Sequence, residues 1–210
     1  MSSLIGNLVL TDFDRELNRD GIICIRYVDD FIILGPDAAV VGKAFAQAQR
    51  HLRSLGMVAY DPSRHPPDKA EQGMTDRRFD FLGCQISPGR VQPSKKAIRS
   101  FLRNLDENFE QGLADVHKMA KGAIMLEQNR GAVQTISRVN NIVLGWGKSY
   151  SFCNVLQVFD SLDREIDQRL FRFLRSCKGA VSAGGGGALR RALHVNSLNR
   201  IAAAAMPALT

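Results

Sequence analysis

The sequence predicts an α+β protein, with a sheet-bearing first part to about residue 92 and an all-helical second part. Three observations carry that expectation. Two β-rich runs, residues 21–26 and 31–35, flank the acidic corner Tyr27-Val28-Asp29-Asp30, as the arms of a hairpin flank its turn. A second alternating run, 79–86, is followed by Pro88-Gly89 and a short return run at 90–92. After Pro93, apolar residues recur at helical intervals to residue 177 with no further β-rich run.

Taken in order, Leu4, Ile5, Leu8, Val9, Leu10, Phe13 and Leu17 predict one amphipathic helix over 3–17, ended by the turn signal Asn18-Arg19-Asp20-Gly21. The hairpin comes next. Pro36-Asp37 opens a helix with Val40, Val41, Ala44, Phe45, Ala48, Leu52 and Leu55 on one side and Gly56 at its C-terminal end. Residues 57–60 read as a short strand, 61–78 as a polar surface loop, and 79–86 as a strand. Ser94 is an N-cap for a helix with Ile98, Phe101, Leu102, Leu105 and Phe109 on one face and Lys95, Lys96, Arg99 and Arg103 on the other. Further helices are predicted over 112–127, 131–150 and 155–177. A flexible Gly-rich joint follows at 183–187, then an Ala-rich helix at 188–205.

With 210 residues and 45% hydrophobic content, the chain has enough apolar material for one large domain or two small ones, which excludes wholesale disorder. The net charge of +7 is unevenly spread. From Ser94 onward, 17 Lys/Arg face 9 Asp/Glu, so the first 93 residues are close to neutral. A basic second half beside an acidic corner suits a polyanion held by one part and processed by the other; charge for solubility alone is the other reading. The four cysteines form no CxxC pair and no zinc-type cluster, which points to reduced thiols in a reducing compartment. No signal peptide and no bilayer-length apolar run is visible, so a soluble, cytoplasmic protein without a membrane partner is expected.

Adjacent carboxylates at a hairpin tip repel each other, and a divalent cation relieves that repulsion. Asp29 and Asp30 are therefore candidate metal ligands; the bland alternative is an exposed turn using Asp for its turn propensity.

Several segments agree in order with one family. Residues 2–17, Arg26-Tyr27-Val28-Asp29-Asp30-Phe31, Leu55-Gly56-Met57, Phe81-Leu82-Gly83 and Pro93-Ser94-Lys95-Lys96 resemble successive palm and thumb motifs of reverse transcriptases, the RNA-directed DNA polymerases of bacterial group II introns and related enzymes. Residues 144–150 (Leu-Gly-Trp-Gly-Lys-Ser-Tyr) and 162–166 (Leu-Asp-Arg-Glu-Ile) resemble the maturase-type segment of intron-encoded proteins.

The resemblance implies a partial polymerase palm over 1–92 and a helical thumb and maturase-like segment over 93–178. It leaves a Gly-rich linker over 179–187 and a C-terminal helix and tail over 188–210. It implies RNA-templated DNA synthesis by two-metal phosphoryl transfer, with Mg²⁺ as cofactor and Mn²⁺ as the alternative ion. Asp29 and Asp30 would be catalytic metal ligands, and Tyr27 would lie beneath the primer end or nucleotide. Phe81, Leu82 and Gly83 would shape the primer grip; a plain strand with a bulge at Gly83 is the alternative. Lys95, Lys96, Arg99 and Arg103 would follow the template–primer backbone, and Lys69 would be a phosphate-binding lysine or a solvated loop residue.

The implied partners are an RNA template, a DNA primer and deoxynucleoside triphosphates. The motif series begins inside the template-gripping region, so a separate or additional N-terminal portion is expected to supply the fingers and the remaining metal-binding aspartate, with little activity expected from this chain alone. A non-catalytic RNA-binding or splicing-helper module is the alternative function.

Overall fold

A computed structural model describes residues 3–67, 69–122, 131–199 and 201. Among them the chain is α+β, with helices and two small antiparallel sheets. It divides into two compact units, Met1–Met74 and Thr75–Thr210.

The first unit is built on α1 (Ser3–Val9), α2 (Thr11–Leu17), β1 (Ile23–Tyr27), β2 (Asp30–Leu34) and α3 (Ala38–Ser54). The single helix expected over 3–17 is two, interrupted at Leu10, which is buried. Strands β1 and β2 pair from Ile23↔Leu34 to Tyr27↔Asp30, leaving Val28 and Asp29 as the loop. Phe13, Leu17, Cys24, Ala48 and Leu52 form the core of this unit, with Phe31 and Ile33 packed against it. The strand period sends alternate residues to opposite faces. Cys24 faces that core, while Ile23, Ile25 and Tyr27 stay exposed on the other side.

Helix α3 starts where Asp37 accepts a hydrogen bond from the Val40 N–H at 2.8 Å. It ends in a Schellman motif: Met57 N–H donates to Leu52 O, Gly56 N–H donates to Arg53 O, and Gly56 takes φ +74°. That turn replaces the strand expected at 57–60, which joins no ladder.

The second unit opens with β3 (Phe79–Phe81), β4 (Cys84–Ser87) and β5 (Arg90–Pro93), in the order β3-β4-β5. The strand expected over 79–86 is therefore a hairpin that reverses at Leu82-Gly83. This sheet sits in the same compact unit as the helices, not with residues 1–74.

Helix α4 (Lys95–Ala120) merges two expected helices. Gly112 does not break it because the residue is needed small: a Cβ there would lie 2.1 Å from Thr135 Oγ1 on α5 (Ala132–Ser149). Helix α6 (Leu156–Ala183) and the short α7 (Ala188–Ala192) complete the bundle. Phe101, Leu105, Val116 and Met119 of α4, Val139 of α5 and Phe173 of α6 form the centre of its core.

Part of the stretch expected to be a flexible joint is helical or packed, while Gly185 and Gly186 stay exposed. Helix α6 runs to Ala183, and a Cβ on Gly184 would meet Ala120 O at 2.5 Å. Arg191 of α7 donates to Met119 O (2.7 Å), Ala120 O (2.6 Å) and Gly184 O (3.3 Å), satisfying carbonyls at the end of α4. The Ala-rich helix expected over 188–205 is interrupted: α7 ends at Ala192, before His194 at φ +57°, and residues 198, 199 and 201 are helical again. Residues 202–205 lie outside those described.

Candidate functional site

In the first unit the hairpin tip presents Tyr27, Val28, Asp29 and Asp30, all exposed; Tyr27 is 64% accessible. Among the described residues, neither Asp29 nor Asp30 is in an ion pair with a basic side chain. The turn is unusual in its residue choice. Val28 takes φ +59°, a left-handed conformation that hairpins normally give to Gly, Asn or Asp. For a β-branched residue this is strained, by about 1–3 kcal/mol.

A buried guanidinium holds that turn. Arg26 forms a fork with Asp14, Nε to Oδ1 at 2.8 Å and Nη2 to Oδ2 at 2.6 Å. Its Nη1 donates to Val28 O at 2.7 Å and to Asn7 Oδ1 at 3.0 Å. The Arg26 side chain is 7% exposed, and its hydrogen bonds to Asp14 raise its pKa further, so its charge is permanent. Asp14 is consequently engaged and unsuited to bind a metal. This grouping is not legible in the sequence, because Asn7, Asp14, Arg26 and Val28 meet only when two helices and a strand pack together.

The chemistry of Asp29 and Asp30 suits a hard cation such as Mg²⁺, which takes carboxylate oxygens. Two carboxylates fill only part of an octahedral shell, and among the described residues no group of three or more His, Cys, Asp or Glu side chains comes together. Lys69, in the same unit, is exposed, with Nζ 5.7 Å from the centre of the Tyr60 ring; Tyr60 in turn packs edge-on to His65.

In the second unit the Leu82-Gly83 turn has φ +49° and +74° at its two loop positions, the type I′ pattern. It is anchored on two sides. Gly83 O accepts from Ser94 N–H at 2.8 Å, and a Cβ on Gly83 would lie 2.8 Å from the Tyr150 hydroxyl. Phe81 is half-buried, whereas Leu82 is 44% exposed.

The neighbouring strand is held as firmly. Asn154 Oδ1 accepts from Val91 N–H at 2.8 Å, and Asn154 Nδ2 donates to Gly89 O at 2.9 Å. Cys84 and Cys153 are buried beside Tyr150, and burial is the main reason that all three have raised pKa values.

Lys95, Lys96, Arg99 and Arg103 project from the first turns of α4, all exposed; the only close partner of this set is Glu107, 3.8 Å from Arg103, among the described residues. Between α4 and α5 runs a groove lined by Ser100, Arg103, Asn104, Asn141, Trp146 and Tyr150. Trp146 stacks on Phe101 (4.4 Å between centroids) and packs against Tyr150, so it anchors the two helices.

A second basic face went unnoticed in the sequence. Arg172, Arg175 and Lys178 are exposed on the C-terminal half of α6 beside Phe171, which is 69% exposed. Their three-residue spacing and the lack of any acid in α6 after Asp167 were there to be read. Arg169 does not join them; it is bound to Asp106 at 2.8 Å and to Glu165.

No helix among the described residues is long and apolar enough to cross a membrane. Residues 117–180 match the family described as group II intron, maturase-specific domain. The match begins in the last turn of α4 and takes in α5 and most of α6, including both segments that resembled a maturase on sequence. No curated protein matches the chain. The chain therefore carries a maturase-like module related to group II intron proteins.

Proposed function

We propose that this chain is the C-terminal part of a reverse transcriptase, in which a metal-binding hairpin works with a maturase-type helical module to copy RNA into DNA. The observation that carries this reading is the hairpin tip: two exposed carboxylates, without an ion-pair partner among the described residues, follow a left-handed Val28 that a turn built only to reverse the chain would not use. The maturase match in the same chain gives that hairpin its context.

In this reading Asp29 is a direct ligand and Asp30 a second or supporting one, with a further carboxylate supplied by another portion or chain. Mg²⁺, when bound, supplies charge neutralisation at the reacting phosphate. Tyr27 offers an exposed ring to the primer end or nucleotide. The Leu82-Gly83 turn offers backbone to the primer, and it is held in place by Ser94 and by Tyr150, whose hydroxyl a side chain at Gly83 would meet. Lys95, Lys96, Arg99 and Arg103 contact phosphates of the template–primer duplex, holding it by shape and charge without reading sequence. Lys69 is a candidate for a phosphate contact.

A second reading has its own support. The family match falls entirely in the helical part, and the hairpin carboxylates have no third partner among the described residues. Both facts favour a non-catalytic RNA-binding or splicing-helper module.

Primer extension on an RNA template separates the two readings. It is run with Mg²⁺, using the chain alone and the chain mixed with the fingers-bearing half of a group II intron-type reverse transcriptase. The polymerase reading expects extension in the mixture and a loss of at least about 100-fold with Asp29→Ala, as expected for removing a group that stabilises the transition state. No extension in either arm, with RNA binding intact in both the parent and Asp29→Ala chains, establishes the helper module instead.

A further inference from the structure

We propose that Arg26 is a positioning residue for the acidic hairpin: by holding the Val28 carbonyl it keeps the left-handed turn that sets where Asp29 and Asp30 present their carboxylates. This rests on the reading of those two residues as a cation-holding pair.

Three facts support it. First, the guanidinium divides its donors between two jobs. One edge, Nε and Nη2, is fixed by the Asp14 fork on α2, and the remaining nitrogen, Nη1, reaches Val28 O at 2.7 Å and Asn7 Oδ1 at 3.0 Å. The fork removes the freedom of the side chain, so Nη1 is delivered to the turn at a fixed point. A lysine has no such geometry.

Second, Val28 needs a restraint. Valine at φ +59° is disfavoured, and the hydrogen bond to a charged donor is of the size required to hold it there. Third, the guanidinium is anchored away from the tip: the Arg26 side chain is 7% exposed and its fork to Asp14 is part-buried, so the exposed Nη1 contact to Val28 O is aimed by a group that is held elsewhere. The helices α1 and α2 therefore act on the tip through one side chain.

The test uses the whole chain, with Mn²⁺ alone as the probe and NMR of the backbone amides of residues 27–30 as the readout. In the parent protein, Val28 shifts report the left-handed turn, and Mn²⁺ broadens the amides of Asp29 and Asp30. Arg26→Lys is expected to move the Val28 shifts out of the left-handed range, speed amide exchange at the tip, and weaken Mn²⁺ half-saturation by about tenfold, the effect of losing one charged hydrogen bond.

Val28→Gly placed in the Arg26→Lys background is expected to recover most of that affinity, because glycine adopts the turn without restraint. A residue that merely stabilises the fold would not be rescued in this way. Asn7→Ala, which leaves the Asp14 fork intact, serves as a milder second variant if Arg26→Lys does not fold.

Unchanged Val28 shifts and Mn²⁺ half-saturation in the folded variants, with only a lower melting temperature, would overturn the proposal. If Mn²⁺ leaves Asp29 and Asp30 unbroadened in the parent chain, the cation reading itself fails. The Val28 shifts and tip exchange in Arg26→Lys then still decide whether Arg26 governs the turn.

Discussion

Val28 and the four thiols show how single residues report their surroundings. At Val28 the fold imposes a backbone that the side chain resists, and the restraint comes from a charged donor two residues earlier in the strand. At the cysteines the effect is burial. Removal from water pushes the Cys24 thiol up to about 11, with the Asp14 carboxylate adding to it. Cys153 is pushed up to about 11 in the same way, with a smaller contribution from Cys84. The unfolded thiols titrate near the ordinary value of 9.0.

The consequence for pH has a definite sign. Between about pH 9 and about pH 11 the unfolded chain releases protons that the folded chain keeps, so stability is whole below that window and declines through it. Urea unfolding at about pH 8 and about pH 10 is expected to show a lower midpoint at the higher pH. The pH-dependent part of that loss is expected to shrink in Cys153→Ala. An identical pH dependence in the two proteins would contradict the burial account.

At the scale of elements, close approach decides what the helices do. Gly112 lets α4 and α5 come together against Thr135, which is 1% exposed. Gly112→Ala places a methyl where Thr135 Oγ1, Cγ2 and Cβ already lie, at 2.1, 2.5 and 2.8 Å. Overpacking of this kind costs about 1–3 kcal/mol. In a double-mutant cycle read by urea unfolding, Thr135→Ala is expected to relieve only part of that loss, since the Cβ at 2.8 Å remains. Full additivity of the two substitutions would mean that the helices are not in contact there.

The hairpin β3–β4 depends on the same principle. Its turn is fixed between the start of α4 and the end of α5 by Ser94 and Tyr150. Apart from the glycine itself, nothing in the local sequence around 82–83 signals either partner.

At the scale of the whole molecule, charge is the feature with the longest reach. The excess of Lys/Arg lies after Ser94, and the structure displays it on two exposed surfaces, one at the start of α4 and one on the C-terminal half of α6. If the α4 set contacts phosphates, changing Lys95, Lys96, Arg99 and Arg103 together to Gln is expected to weaken binding to an RNA–DNA duplex regardless of its sequence. It is also expected to flatten the slope of log affinity against log salt by up to about 3–4, at about 0.7–0.9 per contact. Fluorescence anisotropy across a KCl series measures both. A slope that stays the same would place the nucleic acid elsewhere, with the Arg172, Arg175 and Lys178 face as the next surface to change.

Periodicity and local chemistry were enough to settle the α+β class, the first hairpin with its acidic tip, the caps at Asp37 and Ser94, and the basic face of α4. Each of these depends on residues within a few positions of one another, and side-chain spacing along a helix or strand records them directly. Only the tertiary structure decided that Gly112 continues a helix, that the stretch beginning at Gly184 packs against the end of α4, and that Arg26 joins Asp14, Asn7 and Val28. These outcomes turn on contacts between residues distant in sequence, where a glycine's missing side chain or an arginine's third nitrogen acquires meaning from the neighbour it meets.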